Sequence, residues 1–219
     1  MGKMNANYGS ELHLLRWLGR HRDAFNRKVY DATGLKVSRW LDFGFSTGGK
    51  TYDVELRGLS FLPEEIRKDV ESEFPPGWCR SMSWDAVGMA EDGTWILVEA
   101  KAAAGELKSS NRDRASMSMI KEKLFTLARK LNGTPQGWIG AYYQAANRIF
   151  VQEILADRVK AIQLNVYFCG DRREKVICPD SREAWQPYIR EEYDALGLDL
   201  SNTFLKSHIF EMYVSVDHE

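Results

Sequence analysis

The fold is decided by residues 82–102, which read MSWDAVGMAEDGTWILVEAKA. Two apolar runs, 82–89 and 94–102, are joined by a short polar segment that ends in Asp92-Gly93, the dipeptide that tight hairpin turns favour. The second run is apolar at every position from Trp95 to Val98, which is typical of a strand covered on both faces. The stretch therefore predicts a hairpin at the centre of a buried sheet.

The sequence on either side of this hairpin predicts further strands and several amphipathic helices. A helix is expected over 11–28, where Ser10 supplies the N-cap and leucines recur at helical spacing. Alternation of apolar and polar residues predicts a second hairpin from 37–45 and 52–56. The remaining elements are expected as helices at 63–73, 113–131, 141–157 and 183–196 and as strands at 161–169 and 208–216.

Together these elements predict an α/β fold with a mixed central sheet flanked by helices. We expect one domain over 1–219, with a hairpin insertion at 36–57 and an added helix and strand at 170–219. The chain has 219 residues, 44% of them hydrophobic, which is enough for one sizeable core.

The charge of the chain is balanced overall but unevenly distributed. The formal net charge of −1 argues against a protein whose whole surface binds nucleic acid. Residues 101–130 nevertheless contain eight basic and three acidic side chains, so a local basic face is expected there.

Cysteine usage and hydropathy indicate the cellular compartment of the protein. The three cysteines, Cys79, Cys169 and Cys178, have no metal-binding spacing and are too few for a disulfide framework. The first residues lack the apolar core of a signal peptide, and no apolar run approaches the ~18 residues of a membrane span. We expect a soluble cytoplasmic protein that makes no membrane contact.

Residues 44–51, GFSTGGKT, match the phosphate-binding pattern GxxxxGK[ST]. That pattern binds phosphates only when a helix begins directly after it. The residues that follow alternate as in a strand, so we interpret the segment as a glycine-rich hairpin turn. A P-loop nucleotide hydrolase remains as a less favoured alternative.

Chemically interesting side chains lie at the end of the central hairpin. Glu99 and Lys101 are two residues apart on a strand, so their side chains leave the same face. Asp85 lies on the neighbouring strand and can be brought beside Glu99. Two carboxylates and a lysine at one point can bind a hard divalent cation next to an ammonium group. The alternative is a structural ion pair between Glu99 and Lys101.

The spacing Asp85-x13-Glu99-Ala100-Lys101 resembles the active-site signature of the PD-(D/E)xK nuclease superfamily, which has the restriction-endonuclease-like fold. The resemblance covers the chain from Ser10 to about Cys169. One departure is that Trp84 stands where the family has a proline. The resemblance implies Mg²⁺-dependent hydrolysis of a phosphodiester in nucleic acid, DNA rather than RNA, with Mn²⁺ as a substitute metal.

The resemblance also implies roles for individual residues. Asp85 and Glu99 would bind the metal, Glu11 on the first helix would reach it directly or through water, and Lys101 would orient the attacking water. Gln144, on a later helix, would help to position these groups. The nucleic-acid backbone would be met by Lys108, Arg112, Arg114 and Arg148. A homodimer is compatible with this interpretation, and a catalytically silent binding or assembly module remains the main alternative.

Overall fold

In the computed structural model the chain forms an α/β structure in which helices flank a five-stranded mixed sheet. This confirms the predicted class. The structure describes residues 9–42, 44–46, 52–54, 56–75, 78, 82–108 and 118–217.

The helices and strands are numbered in chain order. The helices are α1 Ser10–Arg20, α2 Arg22–Thr33, α3 Glu64–Ser72, α4 Ser118–Lys130, α5 Tyr143–Ala156, α6 Arg182–Leu196 and α7 Thr203–His208. The strands are β1 Val37–Trp40, β2 Gly44–Ser46, β3 Tyr52–Val54, β4 Leu56–Arg57, β5 Ser83–Trp84, β6 Ala86–Ala90, β7 Trp95–Lys101, β8 Ala161–Cys169 and β9 Ile209–Ser215. The described part of the chain also contains short 3₁₀ helices at Ala104–Leu107 and Pro135–Ile139.

The strand order in the main sheet is β1-β6-β7-β8-β9. Strands β1, β6 and β7 are antiparallel neighbours, whereas β7, β8 and β9 run parallel to one another. The predicted central hairpin is confirmed as β6 and β7, with Ala86 opposite Val98. Strand β7 is the middle strand, which explains why its first four residues are apolar on both faces.

Each face of the sheet is covered by its own layer of helices. On one face, α1 and α2 pack their apolar residues against the even-numbered residues of β7, such as Ile96 and Val98. On the other face, α4, α5 and α6 pack against the odd-numbered residues, such as Leu97. Because side chains alternate along a strand, Glu99 and Lys101 lie on the face that α5 and α6 cover.

The predicted first helix is wrong in its length, because two helices occupy this part of the chain. The backbone leaves the helical conformation at His21, which has φ −129° and ψ 31°. Helix α1 buries Leu14 and Trp17 while α2 buries Phe25 and Val29. The break reorients the chain so that both helices pack their apolar residues onto one face of the sheet.

The second predicted hairpin is also only partly correct. Strand β1 belongs to the main sheet, where Trp40 lies opposite Gly88. A Cβ atom at Gly88 would meet the Trp40 ring at 2.9 Å, so the missing side chain makes room for this ring. The hairpin itself comprises β2 and β3, with Gly44 opposite Val54. A strand therefore follows the GK[ST] pattern, as expected; Lys50 and Thr51 lie outside the described residues.

The segment that follows β8 completes the sheet. The predicted helix and strand in this region are confirmed as α6 and β9, and α7 lies between them. Strand β9 pairs in parallel with β8, with Asn165 opposite Glu211. Among the described residues, no helix is long and apolar enough to cross a membrane.

Candidate active site

The site is created by the unequal lengths of two neighbouring strands. Strand β6 begins at Ala86, which lies opposite Val98, so β7 continues for three residues beyond it. Strand β8 still pairs with this extension, since Lys101 lies opposite Tyr167. The backbone N–H groups of Ala100 and Ala102 point to the side on which β6 is absent. They therefore need partners other than a strand.

Two carboxylates supply these partners. Oδ2 of Asp85 accepts a hydrogen bond from the backbone N–H of Ala100 at 2.6 Å. Oε2 of Glu106 accepts one from the backbone N–H of Ala102 at 2.8 Å. The carboxylates on either side thus fix the backbone around Lys101.

Asp85 itself is poised to bind a cation. Burial raises the pKa of its carboxyl to about 8; the neighbouring charge of Glu99 adds to this rise, while Lys101, the Ala100 N–H and Arg148 oppose it. Its second oxygen, Oδ1, accepts no hydrogen bond from the described residues. A carboxyl with one free oxygen and an anion beside it would gain from a divalent cation.

Glu99 is buried, and both of its carboxylate oxygens accept hydrogen bonds. Oε1 accepts hydrogen bonds from Lys101 Nζ at 2.5 Å and from Gln144 Nε2 at 2.7 Å. Oε2 accepts one from Arg148 Nε at 3.0 Å. Burial opposes ionisation of Glu99, but the charges and hydrogen bonds of Lys101 and Arg148 outweigh it and hold the pKa below its ordinary value. The side chain is therefore a charged carboxylate.

Lys101 completes a triangle with Glu99 and Gln144. Its Nζ also donates to Gln144 Oε1 at 3.2 Å. Burial favours the neutral amine, yet the charges of Glu99 and Asp85 raise the pKa of Lys101 above its ordinary value. A protonated ammonium with fixed orientation results. The structure thus brings together four residues that the sequence singled out: Asp85, Glu99, Lys101 and Gln144.

Arg148 occupies a different position from the one that its predicted role requires. Its side chain is only 8% exposed, with the guanidinium 4.3 Å from the centre of the Trp84 ring and hydrogen-bonded to the Ser83 carbonyl and Glu99. This burial favours neutralisation of Glu99 over contact with a phosphate backbone. The spacing of Gln144 and Arg148, four residues apart on α5, was the available signal that both face one site.

The position of Glu11 is set by helix α1. Glu11 is half-buried on α1, which packs on the sheet face opposite to Glu99 and Lys101. Within the described part of the chain, no three His, Cys, Asp or Glu side chains are grouped so that they could hold a metal ion. The structure therefore does not assemble Glu11, Asp85 and Glu99 into one set of three ligands.

The predicted backbone-contacting residues are only partly described. Lys108 is exposed and forms an ion pair with Glu191, with 2.9 Å between Nζ and Oε1. Arg112 and Arg114 lie outside the described residues. Contact between this basic segment and nucleic acid stays a prediction.

A cavity of about 30 Å³, lined by both polar and apolar side chains, continues from the cluster beneath α6 and has room for about one water molecule. Gln163, on β8, lines it with a buried Oε1 that has no hydrogen-bond partner. Glu192, on α6, lines it too. Burial raises the pKa of Glu192 to about 8; the cation of Lys101 opposes this rise, while Glu99 and Glu211 add to it.

Sequence reasoning missed these cavity residues. Glu192 follows Arg190 and Glu191, and such a charged run is typical of a solvated helix face. Gln163 and Asn165 were detectable, since they interrupt an otherwise apolar strand at alternate positions. Both lie on the same sheet face as Glu99, because Leu97 pairs with Gln163 and Glu99 with Asn165.

The donor set fits a magnesium ion. Mg²⁺ keeps most of its water ligands and requires only one or two carboxylates from the protein. No described residue donates to Asp85 Oδ1, so this oxygen can coordinate, whereas Glu99 would have to exchange a hydrogen bond from Lys101 or Gln144 for the metal. Three carboxyl groups, those of Asp85, Glu99 and Glu192, face two cations, so the cluster has an excess of acidic groups.

Comparisons with known proteins add no evidence for function to that of these residues. No family model, no curated protein and no solved structure matches the chain. The resemblance to the PD-(D/E)xK superfamily therefore rests on the spacing of three residues and on the geometry around them.

Proposed function

We propose that this chain is a Mg²⁺-dependent nuclease of the PD-(D/E)xK type that hydrolyses phosphodiesters in DNA. The observation that supports it most is the hydrogen-bonded triangle of Glu99, Lys101 and Gln144 beside the raised pKa of Asp85. The main sheet and its flanking helices would then correspond to the restriction-endonuclease-like core.

Each residue has a task in this reaction. Hydrolysis forms a bond from water oxygen to phosphorus, breaks one ester P–O bond and moves a proton from the water to the leaving oxygen. Lys101 orients the attacking water and donates to the phosphate oxygens that gain negative charge. Gln144 accepts from Lys101 Nζ and so restricts where the ammonium can point.

The carboxylates hold the metal and the water around it. Asp85 would coordinate through Oδ1 while Oδ2 stays on the Ala100 N–H, and Glu99 would coordinate from the adjacent strand. Arg148 limits the charge that Glu99 adds to the site. Bound there, Mg²⁺ or Mn²⁺ supplies charge neutralisation and a lower pKa for water.

Plasmid cleavage tests this proposal. Wild type should nick supercoiled DNA with Mg²⁺ or Mn²⁺ but not with EDTA, whereas Asp85→Asn and Lys101→Met should each lose activity by about 100-fold or more. Lys130→Met is the matched control, because Lys130 is an exposed lysine on α4 that pairs with Glu153. Equal cleavage by wild type and Lys101→Met would contradict the assigned chemistry.

A catalytically silent binding or assembly module is the second candidate. It is favoured by one observation, since both oxygens of Glu99 are already engaged by Lys101, Gln144 and Arg148. A folded wild type that binds DNA but cuts neither DNA nor RNA with any divalent metal would establish this alternative. Mg²⁺-dependent ATP or GTP binding that Lys50→Ala abolishes would instead support a P-loop nucleotide hydrolase.

The setting in which the protein works is part of the same proposal. Cys169 and Cys178 are free thiols, which fits a reducing cytoplasm. A homodimer would place two sites on one duplex and allow both strands to be cut. Light scattering with and without a DNA duplex measures this stoichiometry directly.

A further inference from the structure

The segment between β8 and α6 carries an exposed apolar tip. Val176 is 42% exposed and Ile177 is 62% exposed. They are two of the four large hydrophobic residues that are exposed in the described part of the chain, and the only adjacent pair among these four. We refer to residues 172–177 as the 172–177 tip.

This tip is held firmly at its base. Arg173 Nη2 donates to Glu106 Oε1 at 2.5 Å, and its Nε lies 3.2 Å from Asp171 Oδ2. The backbone N–H of Gly170 donates to the Pro179 carbonyl at 3.0 Å, which closes the segment. These contacts therefore hold in place the backbone that carries the exposed side chains.

The backbone at the tip also departs from common geometry. Lys175 has a φ of 60°, and only Asn132 shares a positive φ among the described residues other than glycine. A lysine is rarely found in this left-handed region. The strained conformation exposes the Lys175 side chain immediately before the two apolar residues.

The tip is hydrogen-bonded to the segment that follows β7. The carbonyl of Ile177 accepts a hydrogen bond from the backbone N–H of Ala104 at 2.9 Å. Ala104 is three residues beyond Lys101, a separation of at most about 11 Å along the chain. This is about the rise of three nucleotides in one strand of a duplex.

The charge of the tip complements a polyanion. Arg172 and Lys175 are exposed basic side chains of the tip, against one exposed acidic side chain, Glu174, whereas Arg173 is paired with Glu106 and Asp171 at the base. Arg172 is 91% exposed, and its nearest carboxylate, that of Asp217, is itself exposed and lies 3.9 Å away. Such a loose pair leaves the guanidinium available to a stronger partner.

We propose that the 172–177 tip is a nucleic-acid contact surface of this protein. Arg172 and Lys175 bind phosphates, and the aliphatic side chains of Val176 and Ile177 pack against bases in the manner of an apolar wedge. The inference rests on the proposed function for the identity of the partner. It adds a binding element that lies outside the catalytic cluster.

Binding in EDTA tests this surface without cleavage. Fluorescence anisotropy would compare single-stranded and duplex 20-mers with wild type, Val176→Ser/Ile177→Ser and Arg172→Gln/Lys175→Asn. Asparagine tolerates a positive φ, so Lys175→Asn removes the charge without changing the backbone. Leu200→Ser is the matched control. Leu200 is likewise 42% exposed, but it lies outside the tip, three residues before the start of α7.

We expect Val176→Ser/Ile177→Ser to weaken binding at least fivefold, while Leu200→Ser binds as wild type does. Arg172→Gln/Lys175→Asn should reduce the slope of log affinity against log salt by up to about two. Unchanged affinity in both double variants would overturn the inference. So would a wild type that binds no oligonucleotide, or one that binds only anionic lipid vesicles.

Together with the plasmid-cleavage assay, this binding experiment separates the two proposals. Tip-dependent binding by a protein that never cleaves nucleic acid would refute the proposed nuclease activity and support this surface. Metal-dependent cleavage with no effect of the tip variants on binding would support the proposed nuclease activity and refute this surface.

Discussion

Glu99 is the residue on which the geometry of the cluster depends. Its carboxylate binds Lys101, Gln144 and Arg148 at once, and it lies in the buried end of the central strand. Removal of the Glu99 carboxylate would leave two buried cations without their shared anion.

The first prediction compares Glu99→Ala with Lys101→Met. Glu99→Ala should lower the free energy of unfolding by roughly 3–5 kcal/mol, since it breaks a buried ion pair on both sides. Lys101→Met should cost less, because Glu99 keeps its hydrogen bonds from Arg148 and Gln144. Urea denaturation at pH 7 without metal measures both. A Glu99→Ala protein as stable as wild type would show that this network does not stabilise the fold.

The second prediction concerns Asp85 and pH. The pKa of its carboxyl is about 8 in the folded protein, against an ordinary value of 3.8. Between these values the folded state retains a proton that the unfolded chain has released. Stability therefore falls as pH rises from about 4 to 8, and the loss is complete above about 8.

Asp85→Asn removes the contribution of Asp85 to this dependence, since an amide does not ionise and its oxygen can still accept from the Ala100 N–H. The raised pKa of Glu192 contributes in the same direction in both proteins. We expect the variant to be more stable than wild type by roughly 2 kcal/mol at pH 9, with the difference shrinking towards pH 5. Thermal melts in EDTA across this range provide the measurement. Parallel stability curves for the two proteins would mean that Asp85 ionises normally.

At the level of elements, the sequence predicts the parts that local patterns control. The β6–β7 hairpin follows from two apolar runs and an Asp-Gly turn, and α5 follows from helical spacing. The convergence of Asp85, Glu99 and Lys101 then follows from strand alternation. These properties are local, so a single segment of sequence is enough to predict them.

Other elements depend on contacts between distant segments. The break at His21 and the placement of β1 in the main sheet are set by packing around Trp40 and Gly88, which are 48 residues apart. The burial of Glu192 depends on how α6 lies over β8. No local pattern reveals these arrangements, so tertiary contacts override the sequence-based expectation.

A third prediction tests how α6 is docked. A Cβ atom on Gly137 would lie 1.8 Å from the Ala195 carbonyl oxygen of α6, a distance that no small shift can relieve. Gly137→Ala should therefore displace α6 and cost roughly 2–4 kcal/mol of unfolding free energy. Gly105→Ala is the control, since a Cβ there meets nothing within 4 Å. Equal melting temperatures for the two variants would contradict this close packing.

At the scale of the whole molecule, the sheet has one face on which the β7 residues are apolar and another that carries the candidate site. Helices α1 and α2 pack against purely apolar β7 residues, whereas α5 and α6 enclose the charged residues at the end of that strand. The balanced net charge of the chain thus conceals a local excess of buried carboxyl groups. Binding of a divalent cation would favour the ionised forms of these carboxyl groups.

The central claim is that Asp85 and Glu99 share one divalent ion beside Lys101. Anomalous diffraction from crystals soaked in Mn²⁺ at about pH 8.5, where Asp85 is ionised, tests it most directly. The account predicts one anomalous peak within about 2.0–2.3 Å of Asp85 Oδ1 and an oxygen of Glu99, and no such peak in crystals of Asp85→Asn. A soaked wild-type crystal with Mn²⁺ bound elsewhere and these two carboxylates free of metal would contradict it.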